Sequence, residues 1–309
     1  MQGVPPDAAQ ECRVSVPVIA ILPDGRTLTG LRSGDFEVRI AGGRAELQAA
    51  ELDTAPKRVV LLLDASRQVN EEGWRVVIQL ASFVARTAAS EDRLALVVYG
   101  AAGALLLDFN QPREAILQKL EALSAARPPK PAERGHFHDS LLAAAEIFGP
   151  PAFGDTVLAL FGGADRGSRA NPARVKEVFL ARGIRLYGIA LDRAVIGFIV
   201  GGVFSTAILH GLSELDQLAV DTGGFFAHED IRPVWKTYKL TDERQRELEV
   251  FLRRTMLNIV RPYRLELLTQ SSRKLERTDV QLGVESARKV ARVELLYPRL
   301  VQTCAIRGE

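Results

Sequence analysis

The 309-residue chain has few of the residues on which several functional classes depend. Its two cysteines, Cys12 and Cys304, lie near opposite ends, so they form no CxxC redox or zinc motif. Forty Lys and Arg residues against 38 Asp and Glu residues leave a net charge of +2, which indicates neither a nucleic-acid partner nor an acidic membrane. An apolar stretch at 194–209 is shorter than the roughly 20 residues of a spanning helix. We therefore expect a globular protein with no nucleic-acid partner and no membrane span.

The motifs of several enzyme classes are also missing. No GxSxG elbow presents a serine nucleophile. The glycine-rich run FGGADRGS follows a strand-like segment, but it matches neither GxxxxGK[ST] nor GxGxxG, so it predicts no nucleotide cradle. These absences favour a protein that is not an enzyme.

What the chain does have is a continuous apolar strand, RVVLLLDASRQV, from Arg58 to Val69. Five apolar residues run directly into Asp64, Ala65 and Ser66, which is typical of a strand buried on both faces of a parallel sheet. Ligands bind at the strand ends of open α/β sheets, so this polar triplet marks a candidate site.

Strands and helices alternate from residue 56 to about residue 260, which predicts a mostly parallel, doubly wound sheet with helices on both faces. Predicted strands cover 93–99, 104–109, 156–161, 184–191 and 225–227, and predicted helices cover 74–88, 112–123, 139–148, 172–182, 213–220 and 241–260.

The two ends of the chain have β texture instead. Apolar residues alternate with polar ones in 12–55 and again in 261–306. We predict that these segments form one small β-sandwich into which the α/β unit, residues 56–260, is inserted. Pro17 favours an edge position for the first strand. This arrangement would bring Cys12 and Cys304 within reach of a disulfide in an oxidising compartment.

The apolar stretch 194–209 does not fit a tight connection between a strand and a helix. One interpretation is an extra hairpin buried in the protein, because its glycines and β-branched residues disfavour a helix. The other is a partner-binding insertion, with Phe198, Val203 and Phe204 as contact residues, that leaves the sheet at the same edge as Asp64. Self-association through the same stretch is a third possibility.

Several segments, in their order and approximate spacing, resemble the von Willebrand factor A (VWA) family. They are the strand ending in Asp64-x-Ser66, then RGHFHDSLL at 134–142, LALFGGADRGSR at 158–169 and LAVDTGGFF at 218–226. With the upstream segment 28–48, the chain looks most like the bacterial VWFA-related proteins common in acidobacteria. The resemblance covers nearly the whole chain and implies a Rossmann-like α/β domain that binds other proteins.

The resemblance also implies a metal-ion-dependent adhesion site (MIDAS), which in the family holds magnesium with a DxSxS loop, a threonine and an aspartate. Asp64 and Ser66 match this pattern, whereas the other positions fall on Gln68, Gly135 and Gly162. Asp165 lies three residues beyond the last of them. Magnesium requires six oxygen ligands, so we expect a degenerate, metal-free site in which Asp64, Ser66 and Asp165 are remnants.

Two other site chemistries remain open on the sequence. His136 and His138 alternate, so on an extended loop both could face Asp64 or Asp139 and bind zinc. Ser66, one of these histidines and Asp64 contain the groups of a hydrolase triad. The alternative function is therefore metal-dependent ligand binding or hydrolysis at Asp64, Ser66, His136 and His138.

Localisation rests on two observations. The opening residues MQGVPPDAAQECR lack the charged-then-apolar layout of a signal peptide, so we expect either a cytoplasmic protein or a chain that starts after a removed signal. Members of the family are typically exported, which implies a periplasmic or extracellular location.

Overall fold

The fold comes from a computed structural model of the chain. The residues it describes are 11–22, 26–66, 69, 71–100, 104–125, 135–162, 165, 167–192, 206–230, 246, 249–250, 253, 256, 259, 261–270, 275–283 and 293–303.

A six-stranded sheet forms the centre of the α/β unit. Its spatial order is β10-β9-β8-β5-β6-β7, and every neighbouring pair is parallel except β6 and β7. The strand β5 lies between β6 and β8, and its residues Val59 to Asp64 are all buried. The strands are β5 (Arg58–Asp64), β6 (Arg93–Tyr99), β7 (Ala104–Leu107), β8 (Thr156–Phe161), β9 (Arg185–Asp192) and β10 (Phe226–Asp230). The predicted doubly wound sheet is confirmed.

Helices cover both faces of this sheet. One face packs against α1 (Glu71–Thr87), α2 (Arg113–Ala125) and the helical residues Met256 and Ile259. The other packs against α3 (Phe137–Ile147), α4 (Pro172–Arg182) and α5 (Thr206–Thr222). Alternate residues of β5 point into the two apolar layers, Val59, Leu61 and Leu63 into one and Val60 and Leu62 into the other.

Local signals place α4 as predicted. Asn171 accepts a hydrogen bond from the Arg174 amide at 2.9 Å, Pro172 is the first helical residue, and Gly183 ends the helix with a left-handed φ of 64°.

The prediction of a hairpin over 194–209 is wrong for its last four residues, because α5 begins at Thr206. The glycines that disfavour a helix lie upstream of that point, and from Thr206 to His210 the chain has none. Residues 193–205 lie outside the described part. No helix in the described part of the chain is long and apolar enough to cross a membrane.

The two ends of the chain build two antiparallel sheets, ordered β13-β1-β11-β4 and β14-β12-β2-β3. They enclose an apolar core of their own, so the predicted sandwich of both terminal segments is confirmed. The strands are β1 (Glu11–Ile21), β2 (Phe36–Ile40), β3 (Gly43–Arg44), β4 (Glu46–Leu52), β11 (Tyr263–Gln270), β12 (Leu275–Leu282), β13 (Glu294–Leu296) and β14 (Leu300–Gln302). The exact boundaries at 55 and 260 stay predictions.

The edge position expected for β1 is wrong, since β1 lies between β13 and β11. Pro17 pairs with Arg264 of β11, whereas the described pairing with β13 begins only at Ile19. The proline therefore lies on a part of β1 that has one described neighbour, which is compatible with its missing amide donor. Cys12 is buried in β1, and Cys304 lies outside the described residues, so the disulfide stays a prediction.

Ion pairs and packing join the sandwich to the α/β unit. Asp53, after β4, lies 3.2 Å from Lys57 Nζ and 3.1 Å from Arg264 of β11. Lys57 is 1% exposed, so its charge is almost entirely removed from water. Ile19 of β1 belongs to the apolar layer between α1 and the central sheet. These contacts fix the sandwich at the amino-terminal edge of the central sheet, where β5 begins.

Candidate functional site

The candidate site lies at the opposite, carboxyl-terminal edge, where β5, β6 and β8 end. Asp64 ends β5, Tyr99 ends β6, and Gly162 directly follows β8. The segment Gly135–Asp139 enters α3 beside them. Strands that run parallel deliver these residues to one edge, which is why segments far apart in sequence meet here.

Asp64 is fixed by hydrogen bonds from within the protein. It is 1% exposed; its Oδ1 accepts from the Ser66 amide at 2.8 Å and its Oδ2 from the Gly162 amide at 2.9 Å. Burial raises the pKa of Asp64, and the hydrogen bonds from the hydroxyl and amide of Ser66 and from Gly162 offset only part of that rise. The predicted remnant residues Asp64 and Ser66 therefore contact each other, and Asp64 joins the end of β5 to the loop after β8.

Gly162 occupies the position at which the family has its third-loop aspartate, and the structure leaves no room for a side chain there. A Cβ on Gly162 would lie 2.1 Å from Val69 Cγ2 and 3.4 Å from Asp64 Oδ2. Gly135, at the threonine position, is different, because a Cβ there would meet the Ser66 Oγ at an ordinary 3.5 Å. An aspartate at 162 requires Val69 to move.

Asp165 does not face an open site but caps α3. Its Oδ2 accepts from the His138 amide at 2.9 Å and lies 2.6 Å from His138 Nδ1. Its Oδ1 accepts from the amides of Gly167 at 3.1 Å and Ser168 at 3.0 Å. Burial opposes ionisation, but these hydrogen bonds outweigh it and hold the pKa of Asp165 well below its usual range.

The same two segments are joined in the reverse direction through Asp139. The Asp139 amide donates to Ser168 Oγ at 3.0 Å, and the Asp139 carboxylate accepts from the amides of Arg169 at 3.0 Å and Ala170 at 2.9 Å. His136 Nδ1 lies 3.6 Å from Asp139 Oδ2. Side chains of each segment thus bond to backbone groups of the other. We call this set of hydrogen bonds, made by the side chains of Asp139, Asp165 and Ser168, the reciprocal clasp.

Tyr99 is a site residue that the sequence reasoning missed. Its ring packs on Phe137 at 5.6 Å, and its hydroxyl has no well-oriented hydrogen-bond partner in the described part of the chain, although it lies beside Asp64. Burial and the nearby Asp64 charge raise its pKa well above the ordinary value. Tyr99 ends an apolar strand, so nothing in its neighbours distinguishes it from a core aromatic residue.

The predicted ligands do not fit a magnesium ion. An ionised carboxylate offers about four lone-pair positions, and Asp165 receives four N–H groups. Both oxygens of Asp64 also accept backbone amides. Two of the other family positions, Gly135 and Gly162, carry no side chain, and Gly162 has no room for one. Magnesium takes six oxygen ligands, several of them usually water molecules, and it is normally held by one or two carboxylates that face it, whereas the carboxylates of Asp64 and Asp165 are directed to groups of the protein.

The residues predicted as possible zinc ligands do not form one cluster but lie in two separate pairs. His136 lies beside Asp139, and His138 lies beside Asp165. Within the described ranges, no three His, Cys, Asp or Glu side chains form a group that could hold a metal ion. Gln68, Phe198, Val203 and Phe204 lie outside those ranges.

The sheet order, the helices on both faces and the loops that meet at Asp64 define the α/β unit as a von Willebrand factor A-like fold. A scan of the sequence against protein-family models and a search of curated proteins each find no match.

Solved structures similar to the chain are known. Von Willebrand factor type A from Catenulispora acidiphila is 13% identical, with 89% of this chain and 75% of that chain covered and a TM-score of 0.47. The manganese-loaded TRAP protein of Plasmodium vivax is 11% identical, with coverages of 77% and 97% and a TM-score of 0.44. Proximal thread matrix protein 1 from the mussel byssus is 12% identical at a TM-score of 0.47, with 76% of this chain covered, and this chain spans 50% of its length. The suggested closeness to acidobacterial proteins stays a prediction.

Proposed function

We propose that the chain is a non-enzymatic VWA-type protein that binds another protein through a degenerate MIDAS without a metal ion. The observation that carries the proposal is the state of Asp165, whose four acceptor positions face N–H groups of its own loop and of α3. Where a MIDAS joins its loops through a cation, the reciprocal clasp joins them directly.

The proposed binding face consists of the strand-end loops and the adjoining segment 194–209. β9 runs parallel to β8 and ends at Asp192, so the chain enters that segment at the same edge as Asp64. A largely apolar segment next to a rigid polar edge is the composition of a protein-binding surface, in which apolar anchors supply most of the binding energy. We also propose that the protein is exported to the periplasm or the cell exterior.

Metal titration tests the first half of the proposal. Calorimetry of chelator-treated protein with Mg²⁺, Mn²⁺ and Zn²⁺ is expected to show no saturable heat. A matched comparison uses Asp64→Asn, which removes the central carboxylate. Stoichiometric binding that disappears in Asp64→Asn would overturn the metal-free site.

Partner binding tests the second half. Proteins captured on the immobilised chain are identified, and the affinity of a purified partner is measured with EDTA and with Mg²⁺. We expect equal affinity in both buffers and a loss in a variant with Phe198, Val203 and Phe204 changed to serine. The matched control is Leu275→Ser, which removes an exposed apolar residue from the sandwich. Affinity that survives the triple change contradicts the proposed face, and light scattering of the same variants distinguishes self-association.

One observation favours the alternative of hydrolysis. His138 Nδ1 is held at 2.6 Å by Asp165, the kind of pairing that orients a catalytic histidine. Ser66, however, directs its hydroxyl hydrogen bond to Asp64. Labelling of Ser66 by a fluorophosphonate, abolished in His138→Ala, would support hydrolysis; stoichiometric zinc lost on changing both histidines would support the metal-dependent form.

A further inference from the structure

Arg169, in the loop after β8, combines a fixed backbone with an exposed side chain. Its amide donates to both oxygens of Asp139, at 3.2 Å and 3.0 Å, and the following amide, of Ala170, donates to the same carboxylate at 2.9 Å. Among the residues that the structure describes, none places a carboxylate oxygen within 4.0 Å of the Arg169 guanidinium. Because a guanidinium carries five N–H donors and no acceptor, Arg169 presents donors at a defined position of the carboxyl-terminal edge of the central sheet.

Two exposed arginines on the neighbouring helices do have carboxylate partners. Arg75 of α1 lies 2.7 Å from Glu71, and Arg174 of α4 lies 2.8 Å from Glu177. Each pair joins side chains three or four residues apart on one helix, where such side chains are neighbours. Arg169 precedes α4 and therefore has no helical neighbour of this kind.

The carboxylates at this edge are directed to backbone amides instead. Both oxygens of Asp64, of Asp139 and of Asp165 accept main-chain N–H groups. Asp64 is also 1% exposed, so it offers no surface to a guanidinium. The described part of the edge thus has donors to spare and few acceptors, which suits an anionic group of another molecule.

The three loops that meet at Asp64 are rich in basic residues. Residues 65–70, 126–136 and 162–171 contain six Lys and Arg residues against two acidic residues, Glu133 and Asp165. Three of the arginines are bonded directly to described residues of the site: Arg67 follows Ser66, Arg134 precedes Gly135 and Arg166 follows Asp165. Adjacent Cα atoms are about 3.8 Å apart, so covalent connection alone keeps these arginines at the edge. The basic character is local, because the whole chain has a net charge of only +2.

We propose that this edge binds carboxylate side chains of a partner protein, with Arg169 as the anchoring residue. The inference rests on the proposed function and adds the chemistry of the partner, an exposed segment in which acidic residues stand next to apolar ones. A guanidinium matches a carboxylate with two parallel N–H···O bonds, and the fixed backbone of Arg169 lowers the ordering cost of forming them. The other arginines of the three loops attract the acidic segment over a longer range. Its apolar residues contact the adjoining segment 194–209.

The probe is a capped hexapeptide of alternating Glu and Leu, labelled for fluorescence anisotropy. Comparison peptides carry Gln or Lys in place of every Glu. We expect saturable binding of the Glu peptide that weakens as NaCl rises, and no saturable binding of either comparison peptide. Inorganic phosphate serves as a competitor, because guanidinium groups also bind phosphate. Absence of Glu-peptide binding, or phosphate that binds as tightly as the peptide, would overturn the proposal.

Arg169→Gln tests the anchor. It is expected to weaken binding about tenfold, since it removes hydrogen bonds to a charged group. Arg169→Lys is expected to lie between Arg169→Gln and the unchanged chain, because it keeps the charge but not the planar fork. The matched control is Arg86→Gln, which removes an exposed arginine from the last turn of α1, at the opposite edge of the sheet, and is expected to leave binding unchanged. Equal binding by Arg169→Gln and the unchanged chain, or an equal loss in Arg86→Gln, contradicts the assignment.

The Arg169 amide that Asp139 accepts stays in these variants, so their urea midpoints are expected to agree with that of the unchanged chain. A purified partner separates this inference from the proposed function. Affinity that is equal in EDTA and Mg²⁺ and is lost in the triple variant at Phe198, Val203 and Phe204, but is unchanged in Arg169→Gln, would overturn the arginine anchor alone. Affinity that requires Mg²⁺ would instead contradict the proposed function.

Discussion

Asp165 and His138 are held together twice, once through the His138 amide at 2.9 Å and once through its Nδ1 at 2.6 Å. The same carboxylate also accepts the amides of Gly167 and Ser168. A side chain from the loop after β8 thus holds the first turn of α3 through both the backbone and the ring of His138.

This arrangement predicts that Asp165→Asn is destabilising. The amide would keep the shape of the side chain but lose the charge and place an N–H₂ group against N–H donors. We expect a loss of about 2–3 kcal/mol of unfolding free energy, since hydrogen bonds to charged groups contribute about 1.5–3 kcal/mol each. Urea denaturation measures it, with the exposed Glu121→Gln on α2 as a control expected to change stability by less than about 0.5 kcal/mol. Equal stabilities for the two variants would show that the clasp contributes nothing.

The two glycines of the site give a matched pair. Gly162→Ala places a methyl group 2.1 Å from Val69 Cγ2, whereas Gly135→Ala meets Ser66 Oγ at 3.5 Å. We expect Gly162→Ala to cost about 1–3 kcal/mol through overpacking and Gly135→Ala to cost much less. Thermal melts followed by circular dichroism measure both, and Val69→Ala added to Gly162→Ala is expected to recover part of the loss. No recovery would mean that the strain lies elsewhere than at Val69.

The lowered pKa of Asp53, at the junction with the sandwich, predicts that the protein loses stability in acid. Burial tends to raise the pKa of Asp53, but the Ala55 amide and the charges of Lys57 and Arg264 outweigh it and lower the pKa. A lowered pKa gives stability that is present above the unfolded value of about 3.9 and is lost as the pH falls through the folded value. We expect the unfolding free energy to decrease below about pH 4, and Asp53→Asn to flatten that decrease. Urea titrations at pH 7 and pH 3 measure the slope, and an unchanged acid slope in Asp53→Asn would contradict the assignment.

The pairing of Asp53 with Lys57 is testable at neutral pH. Asp53→Asn leaves the buried ammonium of Lys57 without its carboxylate neighbour, so we expect a loss of about 3 kcal/mol at pH 7. Asp53→Asn combined with Lys57→Met is expected to cost less than the single change at Asp53, because the double variant removes the buried ammonium and leaves only Arg264, whose side chain is 39% exposed, without the carboxylate. A double-mutant cycle gives the coupling energy, and purely additive losses would show that the two side chains act independently.

Gly223, at the end of α5, lies so close to Pro298 of the sandwich that substitution by alanine tests the packing between them. Gly223 and Gly183 both have left-handed φ, 84° and 64°, but only at Gly223 would a Cβ meet another residue, Pro298 Cδ at 2.7 Å. Gly183→Ala is expected to cost about 1 kcal/mol from backbone strain alone. Gly223→Ala is expected to cost about 2–4 kcal/mol, because overpacking adds to the strain. Equal losses in urea denaturation would mean that the Pro298 turn moves away freely.

Elements whose signals are local could be predicted from the sequence. The apolar run of β5 and the cap, proline and glycine of α4 specify their own conformations, so β5, β6, β8 and α4 agree with the expected ranges. The start of α3 could not be predicted in the same way. It begins at Phe137 instead of Asp139 because its caps, Asp165 and Ser168, lie 27 and 29 residues later in the chain.

In the candidate site, too, some features follow from local sequence and others depend on contacts between distant segments. Its position at the end of β5 followed from the strand itself, but the roles of its residues depend on contacts between loops. Asp165 was predicted as a remnant ligand, and nothing near it in sequence indicates that four N–H groups surround it. The obstruction at Gly162 likewise depends on Val69, which belongs to another loop.

The pairing of β1 with β11 has a consequence for the order of folding. Ser15 Oγ donates to Glu266 Oε1, 251 residues further along the chain, so β1 is synthesised long before the strand with which it pairs. The α/β unit lies wholly between them and leaves the ribosome earlier. Because domains generally fold as units during synthesis, we expect the central sheet to form first and to bring β1 and β11 close together. Folding of the central sheet would then shorten the chain loop that the pairing of β1 with β11 has to close.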